Sequence, residues 1–315
     1  MPTADFILTT FLYSHPVCLE HVNMPGHPER PDRLRAIEKV LEADIFDELE
    51  RKVAPEADPA SFELAHPKGY LDRIHSLIPE TGLAQIDADT SASPKSWQAV
   101  RRAVGGALAG VDDVFEGRAD NVFCAVRPPG HHAEKTTAMG FCLVNTVAVA
   151  ARYAQEKHGA ERVAIIDFDV HHGNGTQDIF YEDETVLFAS THQMPLYPGT
   201  GALGETGVGN IFNAPLRSGD GGDAFKAAMR DRVLPAVDNF QPDFILISAG
   251  FDAHYRDPLA GLELTADDFD WATGKLMELA QKHAGNRLVS LLEGGYDLQG
   301  LAESAAAHVN RLMRG

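Results

Sequence analysis

The run from Val163 to Gln177 contains the densest group of side chains in the sequence that could bind a metal ion. Four apolar residues are followed by Asp167, Asp169 and His171 at alternate positions. Because the side chains of an extended chain alternate, these three would face one side while the residues between them pack on the other. Carboxylate oxygen and imidazole nitrogen together suit Zn²⁺, and Fe²⁺ or Co²⁺ is also compatible. The spacing therefore predicts a metal site at the end of a buried strand.

Two other interpretations of this run are weaker. Asp167 could cap a helix that begins near Thr176, and the histidines would then be polar surface. A calcium-binding loop also repeats Asp-x-Asp, but its glycine stands one position before Gly173 and its last ligand is a glutamate where this chain has Asp178. Such a loop also follows a helix rather than a strand. The calcium interpretation is therefore set aside.

Asp252 is a candidate third ligand, in the sequence Gly-Phe-Asp-Ala-His (250–254). With Asp169 and His171 it would give the ion three protein ligands and leave positions open, as in catalytic rather than structural metal sites. An ion of this kind polarises a substrate carbonyl and lowers the pKa of a bound water. The predicted reaction is therefore metal-assisted hydrolysis.

Hydrolysis of this kind needs a base that takes a proton from water. His131 and His132 follow a stiff Pro-Pro-Gly sequence and are the candidates. A histidine bonded to a carboxylate keeps its proton to a higher pH than one bonded to a neutral amide. Asp167 and Asn174 offer one partner of each kind, so the two histidines are expected to differ in charge.

Three aromatic residues could complete the site. Tyr296 follows Gly294 and Gly295, which allow close approach of backbone and ring, and its hydroxyl could donate to an oxyanion opposite the metal. Phe141 and Tyr197 lie in loop-like sequence. They could form the walls of a narrow channel or belong to the core, and their spacing favours neither.

The hydrophobic pattern predicts the elements that would bring these residues together. Short apolar runs, typical of strands buried on both faces, alternate with helical patterns, the last of which opens with a Thr-x-x-Asp capping pattern. Each run is followed by polar residues, and ligands of parallel sheets bind beyond the carboxyl ends of the strands. We therefore expect an α/β fold, a single domain spanning 1–315, with one crevice. The predicted strands are 122–126, 163–166, 186–189, 244–247 and 288–292, and the helices are 145–158, 223–239 and 265–283.

The N-terminal part of the chain has less regular patterns. Ser93 and Pro94 are typical of the cap and first residue of a helix, whose apolar stripe from Trp97 to Phe115 is predicted core. A long loop in a compact domain is often functional. The other predicted elements are an edge strand at Phe6-Ile7-Leu8, a proline-rich loop at 15–33, helices at 32–50 and 68–77, and a turn-rich segment at 81–93.

Composition restricts the partners and the compartment. The 315 residues include 27 Lys and Arg against 46 Asp and Glu, a formal charge of −19, which argues against direct binding of nucleic acid or an anionic membrane. Three cysteines without paired spacing indicate a reducing compartment. No basic segment precedes an apolar stretch at the N-terminus, and no run approaches the length of a membrane span. We expect a cytoplasmic protein.

Six ordered motifs resemble the zinc-dependent histone deacetylase superfamily, including its class II-like bacterial histone deacetylase-like amidohydrolases and acetylpolyamine amidohydrolases. The resemblance runs from about His15 to Tyr296. The motifs are Arg-Pro-Pro-Gly-His-His (127–132), Gly-Phe-Cys (140–142), Asp-Phe-Asp-Val-His-His-Gly-Asn-Gly-Thr (167–176), Tyr-Pro-Gly-Thr-Gly (197–201), Gly-Phe-Asp-Ala-His (250–254) and Glu-Gly-Gly-Tyr (293–296).

The resemblance implies the arginase-deacetylase fold, a single eight-stranded parallel sheet flanked by helices on both faces. It implies His132 as general base and acid and His131 as its electrostatic companion bonded to Asp167. Asn174 matches the position that orients His132, and an asparagine there is similar to class II members. Tyr296 would be the oxyanion donor. The implied zinc ligands are Asp169, His171 and Asp252.

The resemblance also implies a substrate tunnel and a second ion. Phe141 and Tyr197 would enclose the acyl-lysine chain, and the carbonyl of Gly140 would accept the substrate amide. Arg33 matches the arginine of an internal channel beneath the metal. Leu259 and Gly294 complete the implied substrate-binding set, and the implied ligands of a structural K⁺ are Asp167, Asp169, His171, Ser190 and Thr191.

Two departures from the family pattern concern the tunnel rim. Leu259 stands where some polyamine-selective members have a glutamate, although other bacterial members use acidic residues of an early loop, which matches Asp87 and Asp89. The rim aspartate that holds the substrate backbone in many members has no counterpart, since Ser91 or Ala92 falls there.

The resemblance implies hydrolysis of N-acetyl or other N-acyl amides on lysine side chains or lysine-like amines, with release of acetate. The partner would be an acetylated lysine peptide or protein, or an acetylated polyamine, and a homo-oligomer is compatible with it. One alternative is an acetylpolyamine deacetylase, and another is an inactive acyl-lysine-binding protein. A ureohydrolase on the same fold would need two metals on Asp-x-His-x-Asp, and the order Asp-Phe-Asp-Val-His argues against it.

Overall fold

The central feature of this computed structural model, which describes residues 8–315, is a parallel β-sheet. Its strands are β1 (Thr10–Ser14), β2 (Glu50–Val53), β5 (Asn121–Cys124), β6 (Val163–Asp167), β7 (Val186–Gln193), β8 (Ile211–Leu216), β9 (Phe244–Ala249) and β10 (Leu288–Leu292). Their order is β2-β1-β5-β10-β9-β6-β7-β8, and each neighbouring pair is parallel. A separate antiparallel hairpin joins β3 (Ala84–Gln85) and β4 (Ser91–Ala92).

Helices cover both faces of the sheet. The central strands β6, β9 and β10 are buried along their whole length, which explains why most of their positions are apolar rather than only alternate ones. The helices are α1 (Asp32–Val40), α2 (Lys68–Ser76), α3 (Ser96–Phe115), α4 (Thr146–His158), α5 (Asn174–Phe180), α6 (Gly222–Ala228), α7 (Leu234–Phe240), α8 (Ala266–His283) and α9 (Leu298–Arg314). The predicted eight-stranded α/β architecture is confirmed.

The helices predicted between the strands are present, and their caps explain where two of them begin. Asn145 accepts a hydrogen bond from the amide of Ala148 at the start of α4. Thr265 and Asp268 form the predicted capping box of α8. The predicted helix 223–239 is divided, because a π-helical turn at Met229–Val233 separates α6 from α7.

Predictions for the N-terminal part were less accurate. The helix predicted at 32–50 ends at Val40 and is followed by β2, an edge strand whose exposed side chains carry no apolar signal. The cap predicted at Ser93 is wrong by two residues, since the N-cap of α3 is Lys95 and the helix begins at Ser96. Of the predicted edge strand, Phe6 and Ile7 lie outside the described residues and Leu8 is not in a strand. The first described strand, β1, is interior, between β2 and β5.

The sheet brings five loops to one edge. Parallel strands share a direction, so the segments that follow β5, β6, β7, β9 and β10 all leave from their carboxyl ends. These are the segments that carry the predicted polar groups. Within residues 8–315, no helix is both long enough and apolar enough to cross a membrane. The three cysteines are buried and unpaired with one another.

Candidate metal and catalytic site

Three buried side chains form the candidate metal centre. Asp169, His171 and Asp252 each present one ligand atom, and these atoms lie within 4.8 Å of one another. His171 Nδ1 lies 3.1 Å from Asp169 Oδ1 and 3.1 Å from Asp252 Oδ2. Since β6 ends at Asp167, the loop beyond the strand brings Asp169 and His171 together, rather than strand alternation as predicted. Phe168 and Val170 are buried in the core, as the alternation implied.

Backbone amides fix the two carboxylates. Gly294 N–H donates to Asp169 Oδ2 at 2.8 Å, and Val170 N–H donates to Asp252 Oδ1 at 2.8 Å. A Cβ at position 294 would lie 2.1 Å from Asp252 Oδ2. Only glycine fits at this position. Gly294, which was predicted to bind substrate, therefore also holds the carboxylates of the metal centre in place.

The charges of the centre favour a cation. Burial and the neighbouring Asp169 raise the pKa of Asp252 to about 7. Burial alone would lower the pKa of His171, but hydrogen bonds with both aspartates raise it to about 10. Two buried carboxylates and one imidazole offer oxygen and nitrogen atoms of the kinds that bind Zn²⁺ in catalytic sites. In the described part of the chain, no second group of three His, Cys, Asp or Glu is arranged for a metal in this way.

His131 and His132 lie beside this centre and differ in their partners. Their ring centroids are 4.0 Å apart. His131 Nδ1 lies 2.9 Å from Asp167 Oδ2, whereas His132 Nδ1 lies 2.8 Å from Asn174 Oδ1. The structure therefore pairs one histidine with a carboxylate and the other with an amide. These are the two partners, Asp167 and Asn174, that the sequence suggested.

These partners separate the pKa values of the two histidines. Burial opposes the charged form of His131, but Asp167 and Asp169 raise its pKa well above the usual value. Burial and the neighbouring His131 and His171 lower the pKa of His132 well below the usual value. These shifts favour the charged form of His131 and the neutral form of His132.

The candidate potassium ligands lie where β6 and β7 end side by side. Ser190 is the register partner of Asp167. Ser190 Oγ lies 2.9 Å from His192 Nδ1, and Thr191 is buried. Asp167 Oδ1 accepts a hydrogen bond from the amide of Asp169 at 3.0 Å, so it does not cap a helix at Thr176. The residues matched to potassium are therefore neighbours in the structure.

Tyr296 lies at the edge of the site, half-buried. Its ring is in edge contact with Phe141, with centroids 5.9 Å apart, and the Arg33 guanidinium lies 4.9 Å from the ring centroid. Burial raises the pKa of Tyr296 well above its usual value despite the opposing effect of Arg33. The hydroxyl therefore stays protonated at neutral pH and can act as a hydrogen-bond donor.

Phe141 and Tyr197, the candidate aromatic wall of the predicted channel, lie near the candidate metal centre and outside the core. Tyr197 is 38% exposed, and its ring centroid lies 5.2 Å from that of His132 and 6.4 Å from that of His171. Phe141 adopts φ 68° and packs edge-on against His27. Before it, Gly140 has φ 56°, and a Cβ there would lie 2.4 Å from His132 Cδ2. Glycine at 140 is therefore required by both its conformation and its close approach to His132.

The β3–β4 hairpin brings acidic residues to this region. The hydroxyl of Thr90 accepts a hydrogen bond from Phe141 N–H at 3.0 Å and donates to Asp89 Oδ1 at 2.9 Å. Asp87 instead accepts from the amides of Asp89 and Thr90, which stabilises the hairpin turn. Ser91 and Ala92, considered as rim positions from sequence, are buried. Asp89 is therefore the carboxylate that lies beside the aromatic wall.

Leu259 follows the metal-ligand loop and is half-buried. Its amide donates to Asp257 Oδ1 at 3.0 Å, and Asp257 Oδ2 accepts from the amide of Tyr296 at 2.7 Å. Asp257 thus links the loop after β9, which carries Leu259, to the loop after β10, which carries Tyr296.

A buried ion network lies beneath Tyr296. Arg33 Nε donates to the carbonyl of Gly295 at 2.6 Å, and its Nη1 donates to Glu29 Oε1 at 3.1 Å. Glu29 also forms a two-point salt bridge with Arg127, whose other partners are backbone carbonyls. The proline-rich loop predicted to be functional therefore supports the floor of the site.

Two glutamates near the histidines were not identified from sequence. Glu293 Oε2 accepts from the amides of Gly130 and His131, at 2.7 and 3.1 Å. Glu134 Oε1 accepts from Asn174 Nδ2 at 2.8 Å. Glu293 opens the Glu-Gly-Gly-Tyr motif, which was a signal for it. For Glu134, the only signal in the sequence was its position two residues after the histidine pair.

Comparison with known proteins identifies the family. The histone deacetylase domain matches residues 27–312. The histone deacetylase-like amidohydrolase of Pseudomonas aeruginosa is 41% identical over 277 residues, which are 86% of this chain and 73% of that protein. A probable deacetylase of Archaeoglobus fulgidus is 40% identical over 301 residues, 93% of this chain and 83% of that protein. The crystal structure of the HDA15 HD domain matches with a TM-score of 0.92 and 38% identity, covering 97% of this chain and 88% of that one.

The chain belongs to the histone deacetylase family and has the arginase-deacetylase fold. It is a hydrolytic enzyme, and the family acts on acetylated substrates.

Proposed function

We propose that this enzyme is a zinc-dependent deacetylase that hydrolyses N-acetyl amides of lysine side chains or lysine-like amines. The observation that carries the proposal is the buried Asp169, His171 and Asp252 group with two differently charged histidines beside it. When bound there, Zn²⁺ would polarise the substrate carbonyl and lower the pKa of a water molecule.

His132 is the base in this proposal. Its Nδ1–H donates to Asn174 Oδ1, so the lone pair is on Nε2 and is available to take a proton from water. The lowered pKa keeps this nitrogen unprotonated at neutral pH. As the C–N bond breaks, the same nitrogen returns the proton to the leaving amine. His131 remains charged beside Asp167 and supplies positive potential to the reacting carbonyl.

Tyr296 is the hydrogen-bond donor to the oxyanion in this proposal. The carbonyl oxygen gains negative charge as water attacks, and a protonated phenol stabilises that charge by a hydrogen bond. The edge contact with Phe141 and the guanidinium of Arg33 support the ring from two sides. Because the phenol keeps its proton at neutral pH, the Tyr296 hydroxyl can donate this hydrogen bond without first gaining a proton.

The walls suit a thin, apolar chain that ends in an amide. Phe141 and Tyr197 would flank its methylene groups, and the carbonyl of Gly140 would accept the amide N–H. Leu259 adds an apolar surface at the rim. This shape supports a lysine side chain over a bulky or branched amide.

A second ion is proposed for the ends of β6 and β7. Asp167, Asp169, His171, Ser190 and Thr191 match the potassium ligands of the family, and the strand register brings Ser190 opposite Asp167. Oxygen ligands from carboxylate, hydroxyl and backbone suit a hard cation. We expect the thermal midpoint to rise when KCl replaces an equal concentration of tetramethylammonium chloride.

An acetylated polyamine is the alternative substrate, and Asp89 favours it. This carboxylate lies beside the aromatic wall and would attract a second ammonium group. The test is kcat/KM for an acetyl-lysine peptide and for an N-acetylated polyamine on the same zinc-loaded protein. Preference for the peptide supports lysine deacetylation, preference for the polyamine supports the alternative, and no acetate from either contradicts both.

A further inference from the structure

The carboxylate of Glu134 lies on the opposite side of Asn174 from His132. Asn174 Oδ1 lies 2.8 Å from His132 Nδ1, and Asn174 Nδ2 donates to Glu134 Oε1 at 2.8 Å. The other partner of Nδ2 is Met139 Sδ at 3.3 Å, a weak acceptor. The amide therefore has a histidine on one end and an anion on the other.

The orientation of this amide decides which imidazole nitrogen carries the proton. With oxygen toward His132, Nδ1 must be protonated, and Nε2 keeps its lone pair. If the amide of Asn174 rotated by half a turn, its NH₂ group would face Nδ1 and favour the tautomer with the proton on Nε2. That tautomer cannot accept a proton from water. An ionised carboxylate only accepts hydrogen bonds, so Glu134 is satisfied by one of the two orientations and repelled by the other.

We propose that Glu134 is a positioning residue that locks the Asn174 amide and thereby selects the tautomer of His132 needed for proton transfer. The inference rests on the proposed function only in taking His132 as the base. Glu134 acts through Asn174 and does not contact the substrate.

The backbone holds the two partners in fixed register. Residues 134–137 form a turn closed by Glu134 N–H donating to the carbonyl of Thr137 at 2.9 Å. Within this turn, Lys135 N–H donates to Asp178 Oδ2 at 2.9 Å, and Asp178 lies one turn along the helix that Asn174 begins. The turn is thus attached to α5, which fixes the position of the Glu134 carboxylate relative to the Asn174 amide.

Glu134 also borders solvent, which makes a decisive variant available. It is half-buried and lines a surface cavity of about 580 Å³, whose other wall includes Glu182. A glutamine at 134 could present its oxygen to Asn174 and direct its NH₂ group to water in this cavity. An alanine could not. Glu182, an exposed carboxylate on the same cavity that is not bonded to Asn174, is the matched control.

The first test compares three variants with an acetylated substrate. In Glu134→Ala we expect kcat to fall about 10- to 100-fold with KM unchanged, as for other residues that orient a catalytic histidine. In Glu134→Gln most of the wild-type kcat should remain, and Glu182→Ala should match wild type. Wild-type kcat in Glu134→Ala, or an equal loss in the glutamine and alanine variants, would overturn the proposal.

A double-mutant cycle separates orientation from general damage. In Asn174→Asp both side-chain oxygens are equivalent, so there is no amide left to orient, and Glu134 would face a like charge. Adding Glu134→Ala to Asn174→Asp should therefore cost no activity or restore some. If Glu134→Ala costs the same factor in both backgrounds, its role is merely structural.

A readout independent of turnover distinguishes this proposal from the proposed function. Nitrogen-15 NMR of histidine-labelled, zinc-loaded protein reports which ring nitrogen is protonated, and His132 is assigned from the signals lost in His132→Ala. Wild type and Glu134→Gln should show a protonated Nδ1, and Glu134→Ala should show a mixture. An unchanged Nδ1–H tautomer in Glu134→Ala would overturn the inference even if the protein deacetylates lysine. A wild type that hydrolyses no amide would instead count against the proposed function alone.

Discussion

His131 and His132 are adjacent in the chain, and their different hydrogen-bond partners favour a charged imidazole in the first and a neutral imidazole in the second. Asp167 keeps the first protonated, whereas Asn174 lets burial and neighbouring charges keep the second neutral. These partners could be named from sequence because they lie in the motif that also holds the metal ligands. Glu134 could not, because one carboxylate among 46 acidic residues has no distinguishing local pattern until the fold places it beside Asn174.

Tyr296 provides a prediction at the scale of one atom. Tyr296→Phe removes the hydroxyl and leaves the ring that packs against Phe141. We expect kcat to fall by about 10²–10³, the usual loss for one oxyanion donor, with one metal ion still bound per chain. Steady-state kinetics and elemental analysis of the same sample measure both quantities. Unchanged turnover would remove this hydroxyl from the mechanism.

Among the elements, those with repeated apolar positions were predictable and those defined by distant contacts were not. The strands β6, β9 and β10 are buried on both faces and gave predominantly apolar runs. The edge strand β2 is largely exposed and gave none, so no strand was predicted there, and the helix predicted at 32–50 reached its first residue. The three candidate metal ligands lie together as predicted, but the loop geometry that brings them together depends on amides from Val170 and Gly294.

A buried carboxylate helps to join the proline-rich loop to the sheet. Glu29 is fully buried and pairs with Arg33 of α1 and with Arg127, which follows β5. Glu29→Ala would leave two buried guanidinium groups without their anion, and we expect a loss of about 3–5 kcal/mol in the free energy of unfolding. Urea denaturation measures this loss.

An exposed pair serves as the control for this measurement. Glu42 and Lys39 form a salt bridge in which both side chains are mostly in water. Glu42→Ala should leave the denaturation midpoint unchanged. Equal effects of Glu29→Ala and Glu42→Ala would show that the buried network contributes nothing beyond a surface ion pair.

At the scale of the whole molecule, buried neutral histidines make stability depend on pH. The Thr273 hydroxyl donates to the carbonyl of Phe269, so its oxygen accepts a hydrogen bond from Nδ1–H of His308 in α9. The other ring nitrogen, Nε2, is then unprotonated and accepts a hydrogen bond from Ser290 Oγ–H. Burial lowers its pKa to about 3. The unfolded chain, with a histidine pKa of about 6.5, therefore binds more protons than the folded chain between these values. His308 thus stabilises the fold above about pH 6.5, and this contribution is lost as the pH falls toward 3.

The variant His308→Gln isolates this effect. It should be less stable than wild type at pH 7.5, since it loses the packing and bonds of the imidazole. The gap in thermal midpoint between the two proteins should narrow at pH 5, because only wild type has the buried histidine to protonate. Thermal denaturation at both pH values measures the gap. A gap that is constant or wider at pH 5 would contradict the assignment of a buried neutral His308.

The whole account depends on one divalent cation held by Asp169, His171 and Asp252. The most direct measurement is acetate release from an acetyl-lysine peptide while metal-stripped, folded protein is titrated with Zn²⁺. The account predicts no turnover without metal, a linear rise that levels off at one ion per chain, and no recovery in Asp252→Ala. Full turnover by the metal-free protein, or a rise that continues to two ions per chain, would contradict it.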